Sequence, residues 1–217
     1  MTNRPLGLTM LLLVLGATLT AGPALAFQGI LADPAAFQIS GAWTGGAITW
    51  DIVQDTTGFY YYNYRLLAPD GEPPVDTFLI EIDPSLTAGD FFGTTGHVVV
   101  GDFTVADNPN IPRDIHAIGF LNINQNRVSF DFKTYKSPVW GDFYVKSGEP
   151  VPSTAFNVGF TNPGSDPTSP PADGSLSFHI LTVGPTAAPI PDASTLLLAC
   201  SGIVGLLAAR RRFSASR

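Results

Sequence analysis

The side chains able to do chemistry are few and scattered. Three histidines, His97, His116 and His179, are separated by spacings that match no zinc-ligand pattern. Each falls in a stretch that reads as strand, where a hydrogen-bonded or solvent-facing imidazole is expected rather than a ligand or base. The lone thiol, Cys200, lies within the C-terminal apolar run. A disulfide framework, a thiolate zinc site and a cysteine nucleophile are therefore excluded from the rest of the chain. No Gly-x-Ser-x-Gly elbow, His-Glu-x-x-His helix motif or phosphate-cradling glycine loop occurs. Carboxylates are plentiful, so hydrolysis by a carboxylate pair stays open as a reading, but no spacing singles out a pair. The expectation is a protein without catalytic residues, metal or cofactor.

Asp107, Asn108, Asn110 and Asp114 could supply oxygen ligands to Ca²⁺. Their spacing departs from the EF-hand loop and Arg113 would repel the ion, so a proline-locked turn is expected. Gly-Asp-Phe occurs at 89–91, 101–103 and 141–143; its unequal spacing reads as repeated turn chemistry, with the aromatic packed inside, rather than as a ligand motif. The densest aromatic run is Phe59, Tyr60, Tyr61, Tyr62 and Tyr64. On a strand, side chains alternate, so this run must place rings on both faces. Either Phe59 and Tyr61 or the even-numbered tyrosines can serve the core while the other set faces outward. We assign the ligand-facing role to Tyr60, Tyr62 and Tyr64, with Trp140, and Trp43 and Trp50 are further candidates. Core packing is the alternative for all of them.

The elements that must position these groups are strands. From Phe37 onward the apolar pattern has a period near two, broken by Gly, Pro and Asn, and no helical stripe persists. Strands are predicted at 37–43 and 47–53 around a Thr44-Gly45-Gly46 hairpin turn, then at 58–67, 75–82, 97–101, 102–105, 115–120, 127–134, 138–146, 155–160 and 175–183. A loop with a short helical turn is expected over 83–92. This predicts an all-β fold, an antiparallel β-sandwich of jelly-roll or immunoglobulin-like style, over residues 27–183. Residues 184–190, rich in Pro and Ala, read as a linker.

Between residues 27 and 190 there are seventeen acidic side chains against six basic ones. Such a balance argues against nucleic acid and anionic lipid as partners, and suits cations or neutral or basic polymers. The ends differ. Residues 1–26 have a basic Arg4, an apolar run and small Ala24 and Ala26, the layout of a secretory signal that signal peptidase would cut before Phe27. At the other end, uncharged residues 195–209 would form a helix of about 22 Å, short for a bilayer but able to span it with modest mismatch. Arg210, Arg211 and Arg212 follow directly, and would hold that end cytoplasmic with residues 27–190 outside.

Residues 191–212 resemble the PEP-CTERM sorting signal: a Pro-Glu-Pro-like motif, a short membrane helix and a basic tail in a protein that also has a signal peptide. Pro191 matches the first proline, Asp192 stands for the glutamate, Ala193 for the second proline, and Ser194 for the serine that often follows. The resemblance implies an exosortase as partner, a transient membrane stage, and delivery to the cell surface or extracellular matrix, in association with exopolysaccharide. Asp192 keeps the carboxylate, while Ala193 gives up a fixed backbone angle. The tyrosines at 60–64, Phe78-Leu79-Ile80-Glu81, the loop at 108–112 and the run 138–144 also resemble a recurrent extracellular domain of PEP-CTERM proteins with no assigned activity. That resemblance bears on location and fold; the role expected for the chain as a whole is a surface or matrix protein, with a carbohydrate-binding module using exposed aromatics as the alternative and a carboxylate enzyme behind that.

Overall fold

The computed structural model describes residues 26–32, 36–68, 73–148, 152–161 and 178–187. Twelve strands lie among them: β1 (Ala26–Leu31), β2 (Phe37–Ser40), β3 (Ala47–Gln54), β4 (Tyr60–Leu67), β5 (Val75–Glu81), β6 (His97–Phe103), β7 (Ile115–Leu121), β8 (Arg127–Thr134), β9 (Lys136–Gly141), β10 (Phe143–Ser147), β11 (Thr154–Asn157) and β12 (Ile180–Ala187). They form a four-stranded sheet in the order β1-β3-β4-β8, a six-stranded sheet in the order β2-β11-β10-β5-β7-β6, and a two-stranded ribbon, β12-β9. Neighbours in every ladder run antiparallel. The all-β expectation holds, and the two larger sheets face each other as layers of a sandwich.

Alternation decides what each layer buries. In β4 the even-numbered Tyr60, Tyr62, Tyr64 and Leu66 point inward while Tyr61, Arg65 and Leu67 are exposed. Inward residues of the partner strands extend this surface: Ile48, Trp50 and Ile52 on β3, Phe130 and Phe132 on β8. The facing sheet contributes Phe78 and Ile80 from β5 and Ile118 and Phe120 from β7. Rings mesh across the gap, with Phe78 and Phe130 centroids 4.8 Å apart and Tyr64 and Phe78 at 6.4 Å. Buried phenols also need acceptors, and the ribbon supplies them. Tyr62 Oη donates to the Lys136 carbonyl at 3.0 Å and Tyr64 Oη to the Leu181 carbonyl at 2.6 Å. The tyrosines therefore tie the four-stranded sheet to the ribbon as well as filling the core.

β5 is buried on both faces, because a second apolar cluster covers the outside of the six-stranded sheet. Leu79, Ile115, Ala117 and Tyr144 meet Ile111 from the 104–114 loop and Phe160 from a 3-10 turn, Val158–Thr161. A second 3-10 turn, Ala88–Asp90, begins at a capping box in which Thr87 and Asp90 satisfy each other's main chain. This is the short helical turn expected over 83–92.

Four departures from the sequence reading have clear causes. Residues 44–46 form no hairpin: β2 pairs with β11 and β3 with β1 and β4, so this segment crosses between sheets. The single strand expected over 138–146 is two, β9 and β10, which leave for different sheets at Asp142. Residues 97–105, read as two short strands, give the continuous β6 ladder His97–Phe103. Residues 184–187, expected as linker, belong to β12, with Ala187 opposite Lys136.

Candidate functional site

Two places gather polar or exposed aromatic groups, and they differ in kind. The first is the outer face of the four-stranded sheet. Register aligns its outward side chains in rows: Gln28, Asp51, Asn63 and Asp131 lie in one, and Ala26, Val53, Tyr61 and Lys133 in the next. Asn63 Nδ2 donates a hydrogen bond to Asp131 Oδ1, coupling adjacent strands. Along the β8 edge, residues 92–95 run beside the strand. Phe92 and Lys133 exchange both backbone hydrogen bonds at 2.9 Å, and Asp131 N donates to Thr95 Oγ1 at 3.3 Å. Gly93, with φ +61°, makes the bend this requires. The raised segment turns the sheet face into an open groove of about 370 Å³, with Asp51, Asn63 and Asp131 on its floor and Tyr61 and Lys133 beside them.

An aromatic cluster closes one end. Phe59 stacks on Tyr135 at 3.7 Å and meets Phe92 edge-on at 5.7 Å. The Lys133 ammonium lies 5.3 Å from the Phe59 ring and 5.8 Å from that of Tyr61, which pins both rings by cation-π attraction. Tyr61, Phe92 and Tyr135 stay 45%, 42% and 40% exposed. Partial burial and the nearby Asp55 carboxylate push the Tyr61 phenol above its ordinary range.

The second place is a charged cluster sealed at the β9 to β10 crossing. Asp142 has no exposure. Its Oδ1 accepts from Asn157 Nδ2 at 2.6 Å and from His179 Nδ1 at 3.2 Å, and its Oδ2 from Arg113 Nη2 at 2.7 Å. Arg113 Nη2 also reaches Glu81 Oε1 at 2.8 Å, and Glu81 Oε2 accepts from the Asp142 main chain at 3.1 Å. Asn157 additionally accepts from Phe143 N and donates to the Phe178 carbonyl. Burial alone would raise the Asp142 pKa. The hydrogen bonds from His179, Asn157 and Arg113, with the charge of Arg113, outweigh it and hold the carboxyl below its ordinary range. Because an ionised carboxylate only accepts, His179 Nδ1 carries the proton. The imidazole lies against Gly159, where a β-carbon would come within 2.2 Å of His179 Cε1. This arrangement is a polar lock that joins five segments of chain, with both carboxylate oxygens of Asp142 engaged.

The ligand-facing assignment of Tyr60, Tyr62, Tyr64 and Trp140 is corrected by their burial, at 4%, 1%, 0% and 6% exposure. The even-numbered face of β4 is the core face, and Trp140 packs edge-on against Trp50 inside it at 6.5 Å. Trp43, the other tryptophan candidate, is buried too and donates Nε1 to the Pro73 carbonyl. The exposed ring of β4 is Tyr61. Its signal was present in the sequence, since Asn63 and Arg65 share its parity and a polar pair marks the solvent side. His116 bridges Asp102 at 2.7 Å and the Leu86 carbonyl at 2.9 Å, and His97 meets Asn122. Asp107 and Asp114 are engaged within their own loop, accepting from Thr104 Oγ1 and Val105 N, while Arg113 turns inward to the lock. The three Gly-Asp-Phe copies sit in unlike settings: a capping box, a strand end and the lock. Among the described residues no group of three or more His, Cys, Asp or Glu side chains is arranged to hold a metal ion. Ala26 opens β1 opposite Val53. Ala24, Pro191, Asp192, Ala193, Ser194, Arg210, Arg211, Arg212 and the apolar run 195–209 lie outside the described residues. Comparison with known proteins finds no matching family model, no matching curated protein and no matching solved structure.

Proposed function

We propose that this chain is an exported protein of the cell surface or extracellular matrix that acts by binding rather than by catalysis. An N-terminal signal cut before Phe27 delivers it. Its C-terminal segment, with Pro191, Asp192, Ala193 and Ser194 ahead of a membrane helix at 195–209 and Arg210, Arg211 and Arg212, makes it an exosortase substrate of PEP-CTERM type. Exopolysaccharide is the partner such a location offers. The observation that carries the reading is the extent of the strands among the described residues. Among these residues the strands run from Ala26 to Ala187, so cuts before Phe27 and beyond Pro191 would remove only Ala26, the first residue of β1, from them. Engagement of both Asp142 oxygens by three side-chain donors supports a structural role for the cluster most suggestive of an active site.

Intact-mass measurement on protein fractionated from an exporting bacterial host with an exosortase tests this. The expected species is extracellular, starts at Phe27 and lacks residues 195–217. A cytoplasmic protein retaining residues 1–26 would refute export. An exported one retaining 195–217 would replace sorting by a permanent anchor.

A further inference from the structure

The groove on the four-stranded sheet carries an inference that stands apart from the sorting reading. Its floor belongs to β3, β4 and β8. The first two are paired on both sides, and residues 92–95 take up backbone groups along the outer side of β8. Beside the groove, at Asp131 and Lys133, no free strand edge is therefore offered, and a peptide could not bind there by adding its main chain to the sheet. Recognition falls to side chains. Asp51, Asn63 and Asp131 stand on adjacent strands in one row, about 10 Å from first to last at ordinary strand spacing. Among the described residues, the Asp131 carboxylate receives one hydrogen bond, from Asn63. Carboxylates accept only, so this floor calls for a ligand rich in donors.

The neighbouring row supplies the complementary surface. Tyr61, 45% exposed and steadied by Lys133, stands beside the polar floor, with Val53 on its other side in the same row. A ligand matching both rows presents hydroxyl donors along one edge and C–H surface alongside. A saccharide ring has that character, whereas a polyanion would meet the two aspartates in a domain with seventeen acidic and six basic side chains. We propose that this groove binds a neutral polysaccharide chain, with Tyr61 packing on a sugar ring and Asp51, Asn63 and Asp131 receiving or bridging its hydroxyls.

Native affinity electrophoresis of the full-length chain tests the site, using gels containing dextran, galactomannan or mixed-linkage β-glucan, with alginate and chitosan as charged controls. Retardation by at least one neutral polymer is expected. Tyr61→Ala and Asp131→Ala should each weaken it about tenfold, the scale of losing one aromatic contact or one well-placed polar partner. Phe178→Ala, equally exposed but away from the groove, should leave it unchanged. Urea midpoints measured alongside separate lost binding from lost folding. Three results would each overturn the proposal: no retardation by any neutral polymer, retardation untouched by both groove variants, or binding confined to chitosan and abolished by added salt. The assay uses purified protein, so none of these outcomes depends on where the chain resides in a cell.

Discussion

Replacing Asp142 by Asn removes one charge and almost no volume from a site with no exposure. The carboxylate presents two acceptor oxygens, one to Arg113 and one shared by Asn157 and His179. An amide presents one acceptor and one donor, so whichever way it turns, N–H meets N–H on one side. Breaking a buried ion pair from one partner costs about 3–5 kcal/mol when the other is left fully desolvated. Arg113 keeps 26% of its side-chain exposure and retains Glu81, which reduces the loss to about 2–3 kcal/mol. In a domain of this size that lowers the melting temperature by about 5–10 °C. Urea unfolding followed by circular dichroism measures it, with an unchanged m-value showing that the two states compared are the same. Glu81→Gln provides the internal scale: Glu81 is 22% exposed and bonds the same guanidinium, so about 1 kcal/mol is expected. An Asp142→Asn loss below about 1 kcal/mol, or below that of Glu81→Gln, would refute Asp142 as the centre of the lock.

Acidification should probe the same group in the parent chain. Its folded pKa lies below the ordinary 3.8. The stability it confers is therefore complete above the unfolded value and disappears as pH falls through the lower folded one. Urea midpoints should accordingly fall more steeply below about pH 4 in the parent than in Asp142→Asn, and parallel curves would assign the acid sensitivity elsewhere. Tyr64→Phe leaves the core volume nearly unchanged but strips the Leu181 carbonyl of its donor. It should cost about 1–2 kcal/mol in urea unfolding, and a loss under about 0.5 kcal/mol would mean the tie between sheet and ribbon contributes little.

Where local alternation was strong, the fold was legible. Phe78 and Ile80 opposite Leu79 and Glu81, and Phe130 and Phe132 opposite Asp131 and Lys133, fall on the faces their spacing predicts. What stayed hidden depends on partners far along the chain. Gly45 and Gly46 carry turn chemistry, yet whether a turn makes a hairpin depends on what pairs with β2, and that is β11, more than a hundred residues later. Residues 138–146 read as one strand although Gly141-Asp142 carries turn chemistry; that this turn sends β9 and β10 to different sheets depends on Arg113, Asn157 and His179, which reach Asp142 from elsewhere in the chain. β1 escaped notice because its residues follow directly on the export signal and its pairing with β3 is not a local property. At the candidate groove, composition revealed the aromatic run. The core-facing parity of β4 was settled by pairing with Trp50 and Ile52 on one side and Phe130 and Phe132 on the other. The row of Asp51, Asn63 and Asp131 exists only through register.

The end of β12 bears on how the domain would carry a mechanical load arriving from its C-terminal side. Tension on Ala187 first meets one backbone pair, Ala187 with Lys136, and a 3.5 Å hydrogen bond from Lys136 Nζ to the Pro185 carbonyl, separated by a register shift from Val183 with Pro138. Pro138 has no N–H to contribute, so resistance there is weak. Beyond it come Leu181 and Ile180, both without exposure, and the Leu181 carbonyl held by Tyr64. The last four residues of the strand are therefore the ones such a load would detach first, before the core opens. Under such a load the Tyr64 phenol, bonded to the Leu181 carbonyl, would be the point at which peeling of β12 stops.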